Sequence, residues 1–112
     1  MEERLKAKKI LDELLNFFIV RNGNHLTGKI TLTAKGISIF VSGNLEVSKK
    51  EIMEFSNILA QERNATLEDY YEELLGNPHH EISDYHLIGM MTDEVKIIFQ
   101  ENFLEIQCFR KN

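Results

Sequence analysis

Near the amino terminus, apolar residues recur every three or four positions and are separated by charged or polar ones. This spacing places the apolar side chains on one side of a helix, which is the pattern of an amphipathic segment. We predict a helix from about residue 3 to about residue 20. The segment Arg21–Asn24 follows it, and its glycine and asparagines suit a left-handed helix cap. The apolar positions are Ile10, Leu11, Leu14, Leu15, Phe17 and Phe18.

From residue 30 to residue 42 the pattern changes to an alternation of apolar and polar residues. A period of two predicts strands, and the interruption at Ala34–Gly36 predicts a tight turn between them. We expect Gly36 to adopt a positive φ in this turn. The segment is therefore predicted to be a β-hairpin.

Helical spacing returns after residue 47. Ser48 and Glu51 have the spacing of a capping box, in which the serine hydroxyl accepts a hydrogen bond from the glutamate amide. We predict one helix from Ser48 to Arg63 and a second that opens at Thr66 and ends at Gly76.

Three β-like runs close the sequence, at residues 84 to 91, 94 to 100 and 103 to 109. Only short turns separate them, so neighbouring strands must run antiparallel. The chain is thus predicted to be a single α+β domain over residues 1–112, with an antiparallel sheet of about five strands and helices on one face. The predicted element order is α-β-β-α-α-β-β-β.

The alternation also leaves large apolar side chains on the sheet face that should be polar. Phe40, Ile98, Phe103 and Phe109 are all out of phase with the residues expected to face the core. One interpretation is that the first helix or the amino-terminal segment covers them. The other is that they form an interface with a second copy of the chain or with another protein, because an isolated domain seldom exposes such a patch.

Composition and charge narrow the function classes. The chain has 112 residues and a net charge of −5, which disfavours binding to nucleic acid or to an anionic membrane surface. Nine basic and five acidic groups lie in residues 1 to 50, against four and thirteen in the rest, a polarity that suits self-association or a basic partner. One cysteine permits no internal disulfide, and no apolar run is long enough to span a membrane, so we expect a cytoplasmic protein.

Residues with catalytic or ligand-binding chemistry are few. The loop from His79 to His86 holds three of the four histidines with two carboxylates, groups that bind zinc or similar ions. Its adjacent histidines lack the spacing of a known metal motif, so a solvated loop is the competing interpretation. Cys108 falls in phase with the core positions of its strand, where a thiol is packed and inert.

The sequence contains no glycine-rich phosphate loop and no nucleophile-elbow motif. We therefore predict a small, non-enzymatic module for protein–protein interaction or regulation, homodimeric and without a cofactor. Two alternatives remain open: a domain that binds a small ligand or metal through the His79–His86 loop, and a small enzyme whose site is assembled only in an oligomer.

Overall fold

The structure, a computed structural model, describes residues 3–60 and 85–112. These residues form three helices and four strands. The helices are α1 (Glu3–Ile19), α2 (Lys49–Leu59) and α3 (Tyr85–Met90), and the strands are β1 (Asn24–Leu32), β2 (Gly36–Asn44), β3 (Glu94–Gln100) and β4 (Phe103–Lys111). The helix predicted to open at Thr66 lies outside the described residues.

The four strands form one antiparallel sheet in the order β1-β2-β4-β3. The last strand therefore lies between β2 and β3, and β1 and β3 are the edges. This arrangement confirms an α+β fold with an antiparallel sheet, but the described residues form four strands where about five were predicted.

The missing strand is the run 84–91, which was predicted to be extended and instead contains helix α3. A short, mostly apolar run fits a strand or a buried helix equally well, so periodicity alone does not decide between them. Packing decides here: Ile88 is fully buried, and the Tyr85 ring contacts Phe17 and Phe55 edge-on, with ring centroids 5.7 and 5.1 Å away.

The core lies between the helices and one face of the sheet. In the register of β2 and β4, Ile39 pairs with Cys108 and Val41 with Ile106, and all four side chains are fully buried. Helices α1 and α2 contribute their apolar stripes to the same cluster, including Phe17 and Phe55. The phase predicted for these strands is therefore confirmed.

Local signals explain how several elements begin and end. The Ser48 hydroxyl accepts a hydrogen bond from the Glu51 amide over 3.1 Å, which confirms the predicted cap of α2. After α1, Asn22 adopts the left-handed conformation with φ of 56°. The prediction for Gly36 was wrong, because no described glycine has a positive φ. Gly36 is required for space instead: a Cβ there would overlap the carbonyl oxygen of Arg110.

A buried arginine connects the two ends of the described chain. Arg110 is 1% exposed, and its Nε and Nη2 donate to the two carboxylate oxygens of Glu3 over 2.6 and 3.1 Å. Its Nη1 donates to the Met91 carbonyl over 2.8 Å. One side chain of β4 thus holds the start of α1 and the segment between α3 and β3.

Candidate functional site

The face of the sheet opposite the core is the candidate site, and we call it the outer sheet face. Because side chains alternate along a strand, the register of the four strands assigns residues to it. Its members are Thr27, Lys29 and Thr31 of β1, Ser38, Phe40, Ser42 and Asn44 of β2, Glu94, Lys96, Ile98 and Gln100 of β3, and Phe103, Glu105, Gln107 and Phe109 of β4.

All four residues predicted for an interface lie on this face. Ile98 and Phe103 remain 44% and 39% exposed, whereas Phe40 and Phe109 are half-buried. The register makes Phe40 a diagonal neighbour of Phe109, and Ile98 a diagonal neighbour of Phe103. The four residues therefore form two apolar pairs and not one continuous patch.

Polar side chains of β4 separate the two pairs. Gln107 lies beside Phe40, and Glu105 lies beside Ile98. A face of this composition differs from a core surface, which is apolar throughout. It resembles the mixed composition of protein interfaces, in which apolar anchors are surrounded by polar groups.

Charged residues lie at both sides of the face. One row across the sheet runs from Lys29 through Phe40 and Gln107 to Lys96, so a lysine stands at each edge of the sheet. Sequence reasoning missed this arrangement. Strand phase alone could have assigned both lysines to the outer face, but their common row depends on the strand order.

A shallow concavity of about 290 Å³ occurs where β2, β4 and β3 meet. Ser38, Glu94, Lys96, Gln107 and Phe109 contribute to its lining, so one wall is aromatic and the opposite rim carries both signs of charge. It can accept a single side chain of a partner. It contains no histidine or cysteine, so it offers neither a thiol nucleophile nor an imidazole base.

The described helices leave this face open. The buried residues of α1 belong to the core cluster on the inner side of the sheet, together with those of α2. The expectation that the first helix wraps over Phe40 and its neighbours is therefore wrong. Within residues 3–60 and 85–112, nothing packs on the outer sheet face as a second layer.

The other candidate groups have different outcomes. Residues 79–84 of the His79–His86 loop lie outside the described residues, so a metal site there stays a prediction. In the described ranges, no three residues of the His, Cys, Asp or Glu type come close enough together to hold a metal ion. Cys108 is fully buried, and desolvation raises the pKa of its thiol to about 12, as its predicted core position requires.

Comparison of the chain with protein-family models, with curated proteins and with solved structures finds no match in any of the three. In the described parts of the chain, no helix combines the length and the apolarity needed to cross a membrane.

Proposed function

We propose that this protein is a non-enzymatic module that acts by protein contact, and that the outer sheet face binds a second copy of the chain. The observation that carries the proposal is the position of Phe40, Ile98, Phe103 and Phe109 on the one sheet face that the described helices leave open. A reducing cytoplasm is the compartment proposed with it, because the single cysteine is kept as a buried thiol.

Symmetry favours a second copy as the partner. Consider a two-fold axis that lies in the plane of the interface and crosses the strands between Glu105 and Gln107. It brings Glu105 of each copy over Gln107 of the other. The same axis stacks Phe103 of each copy over Phe109 of the other. No charged residue then faces a residue of like charge.

The competing two-fold axis, parallel to the strands, exchanges the two edges of the sheet. It would place Lys29 of one copy over Lys96 of the other, because both lie in the same row. Like charges brought together in an interface are destabilising. The charge pattern therefore favours the axis that crosses the strands, under which each strand faces the same strand of the second copy.

The size of the face predicts a weak dimer. Four strands about 4.8 Å apart and about seven paired residues long present roughly 450 Å² in projection. Stable interfaces bury about 800 Å² on each partner, so this contact belongs to the small class. We expect dissociation in the micromolar range, which is accessible to sedimentation velocity.

The first test replaces Phe40 and Phe109 together by serine. Sedimentation velocity at high micromolar concentration should show self-association of the unmodified chain and a lower weight-average mass for the double variant, because the contact on the outer sheet face is lost. Val20 and Met53 are also exposed apolar residues but lie away from the sheet, so replacing both by serine is the matched control and should leave the dimer intact. Circular dichroism verifies that each variant is folded.

A second test avoids the half-buried phenylalanines. Under the proposed axis Ile98 lies over Lys96 of the second copy. Ile98→Lys should therefore lower the weight-average mass by breaking this contact, and Ile98→Glu should keep it. Within one copy the effects are reversed, because Ile98 pairs with Glu105 and a lysine there is favourable. A monomeric wild type at high micromolar concentration, or equal effects of the two Ile98 variants, would contradict the proposal.

A further inference from the structure

The β1 edge of the sheet is a second surface of interest, because the described strands leave its outer backbone groups without a neighbouring strand. Among the described strands, β1 pairs with β2 on one side only. An edge strand of nine residues without a proline presents backbone donors and acceptors that another strand can pair with.

The register identifies which backbone groups point outward. Thr33 donates its amide hydrogen to Gly36 over 2.9 Å, so its backbone faces β2. Backbone groups of an antiparallel strand alternate in direction, so those of Lys29 and Thr31 also face β2. The amides and carbonyls of Gly28, Ile30 and Leu32 therefore face away from the sheet.

An irregularity limits where a new strand can pair. The β1–β2 register shifts between Asn24 and Thr27, and His25 within this segment has a positive φ of 53°. The regular part of the edge thus extends from Thr27 to Thr33. Its midpoint is Ile30, one of the residues whose backbone faces outward.

We propose that β1 pairs with β1 of a second copy in an antiparallel register centred on Ile30, which joins two four-stranded sheets into one of eight. Ile30 of one copy then lies opposite Ile30 of the other. On either side of this pair, Gly28 of one copy and Leu32 of the other form a hydrogen-bonded pair. This register uses the whole regular part of the edge and all three outward-facing residues.

Side chains support the same register. Leu32 is 48% exposed and would lie opposite Gly28, where the absence of a side chain leaves room for it. The Leu11 side chain of α1 lies above Gly28, about 3.1 Å from where a Cβ would be, and provides an apolar contact for the incoming leucine. In each pair, the exposed Leu32 side chain of one copy thus leaves solvent and packs over Gly28 and against Leu11 of the other.

Charge repulsion disfavours the neighbouring register, which is centred on Lys29. A pairing centred on Lys29 would place the two lysines directly opposite each other, which is destabilising. In the register centred on Ile30, Lys29 faces Thr31 and only the diagonal contact between the two lysines remains. The two-fold axis is then perpendicular to the sheet, so the outer sheet face stays free, and the inference does not depend on the proposed function.

The experiment introduces one cysteine at the predicted axis. Residues of a hydrogen-bonded antiparallel pair have Cα atoms about 5.5 Å apart, within the range that a disulfide spans. Ile30→Cys should therefore give a disulfide-linked dimer on mild oxidation with diamide. The native Cys108 is buried and should contribute no cross-link. Lys29→Cys is the matched control, because diagonal residues about 8 Å apart are beyond disulfide range.

Adding Leu32→Pro to the Ile30→Cys chain tests the backbone contacts. Proline removes an outward-facing amide hydrogen and leaves the bonds to β2 in place, so the fold should persist and the cross-link should disappear. Adding Phe40→Ser and Phe109→Ser should leave the cross-link unchanged, which separates this contact from the one on the outer sheet face. The inference would be overturned if diamide gave no disulfide-linked dimer of the Ile30→Cys chain, or if the Lys29→Cys chain formed the dimer in equal yield.

Discussion

Replacement of Glu3 by glutamine tests the role of the buried arginine in the stability of the fold. Arg110 cannot lose its proton at ordinary pH, so removal of the Glu3 charge takes a bidentate carboxylate partner away from a buried guanidinium. The Glu3 side chain itself is 47% exposed, and solvent therefore screens the pair in part. Glutamine has nearly the same shape as glutamate, so the change removes the charge of Glu3, which also lies 3.9 Å from the Lys6 ammonium, and leaves the packing in place.

The expected magnitude follows from the geometry. Two unit charges 4 Å apart interact by about 4 kcal/mol at an effective dielectric constant near 20 and by about 1 kcal/mol in water. With one partner buried and the other half-exposed, the loss should lie between these limits, at about 2 kcal/mol of unfolding free energy. Glu3 is also in the first turn of α1, where loss of its charge costs up to about 1 kcal/mol through the helix dipole.

Urea unfolding followed by circular dichroism measures this loss. With a denaturant dependence of about 2 kcal/mol per molar urea, the midpoint should decrease by about 1 M. Asp12→Asn is the matched control, because Asp12 also lies on α1 and pairs with a lysine, Lys8, over 3.1 Å, but both partners are exposed. The control should lose less than about 0.5 kcal/mol. Equal losses in the two variants would refute the reasoning that burial of Arg110 makes its ion pair important.

Three further predictions concern local features. Ser48→Ala should lower the unfolding free energy by about 1 kcal/mol, measured by urea unfolding, since it removes the cap of α2; no change would show that water replaces the hydroxyl. Cys108 should react with a bulky thiol reagent slowly at pH 8 in the native protein and rapidly in urea, because burial raises its pKa to about 12; rapid native labelling would contradict its core position. Gly36→Ala should lower the unfolding free energy by about 2 kcal/mol or more in the same assay, because a new Cβ overlaps the backbone of Arg110. In Gly28→Ala the new Cβ meets only the Leu11 side chain, which can move. A smaller loss for Gly36→Ala than for Gly28→Ala would be inconsistent with this packing.

Local signals in the sequence account for much of the described fold. Helix α1 was predicted within one residue of its observed end, and the core phase of β2, β3 and β4 was correct. Each of these features depends on side-chain spacing within one segment, which a sequence displays directly. The cap at Ser48 belongs to the same class, because its two partners are three residues apart.

Features that depend on distant contacts were not predicted. The run predicted to be a strand is helix α3, because Tyr85 contacts Phe17 of α1 and Phe55 of α2, both far away in the sequence. The burial of Arg110 was missed for a similar reason, since its partner Glu3 is 107 residues away. The strand order could not be derived from alternation.

The candidate site divides in the same way. Strand phase placed Phe40 and Phe109 on the correct face, because phase is a local property. Their grouping into one apolar pair, with Ile98 and Phe103 as the other, depends on the register of β4 with both neighbours. The unpaired edge at β1 depends on the strand order as well, which is why it becomes visible only in the folded chain.

The strand order has a consequence for how the chain folds as it is synthesised. A ribosome delivers β1, β2 and β3 before β4, yet β4 occupies the position between β2 and β3. Until residue 111 has left the exit tunnel, the inner edge of β2 has no partner, and β3 has no strand beside which to lie. The nascent chain can form α1 and the first hairpin. The unpaired edge of β2 is then exposed and can pair with other nascent chains on the same messenger RNA. The sheet is therefore completed only when the last of these four strands emerges, and slow translation while β4 is still in the tunnel would prolong the period in which the chain is prone to aggregate.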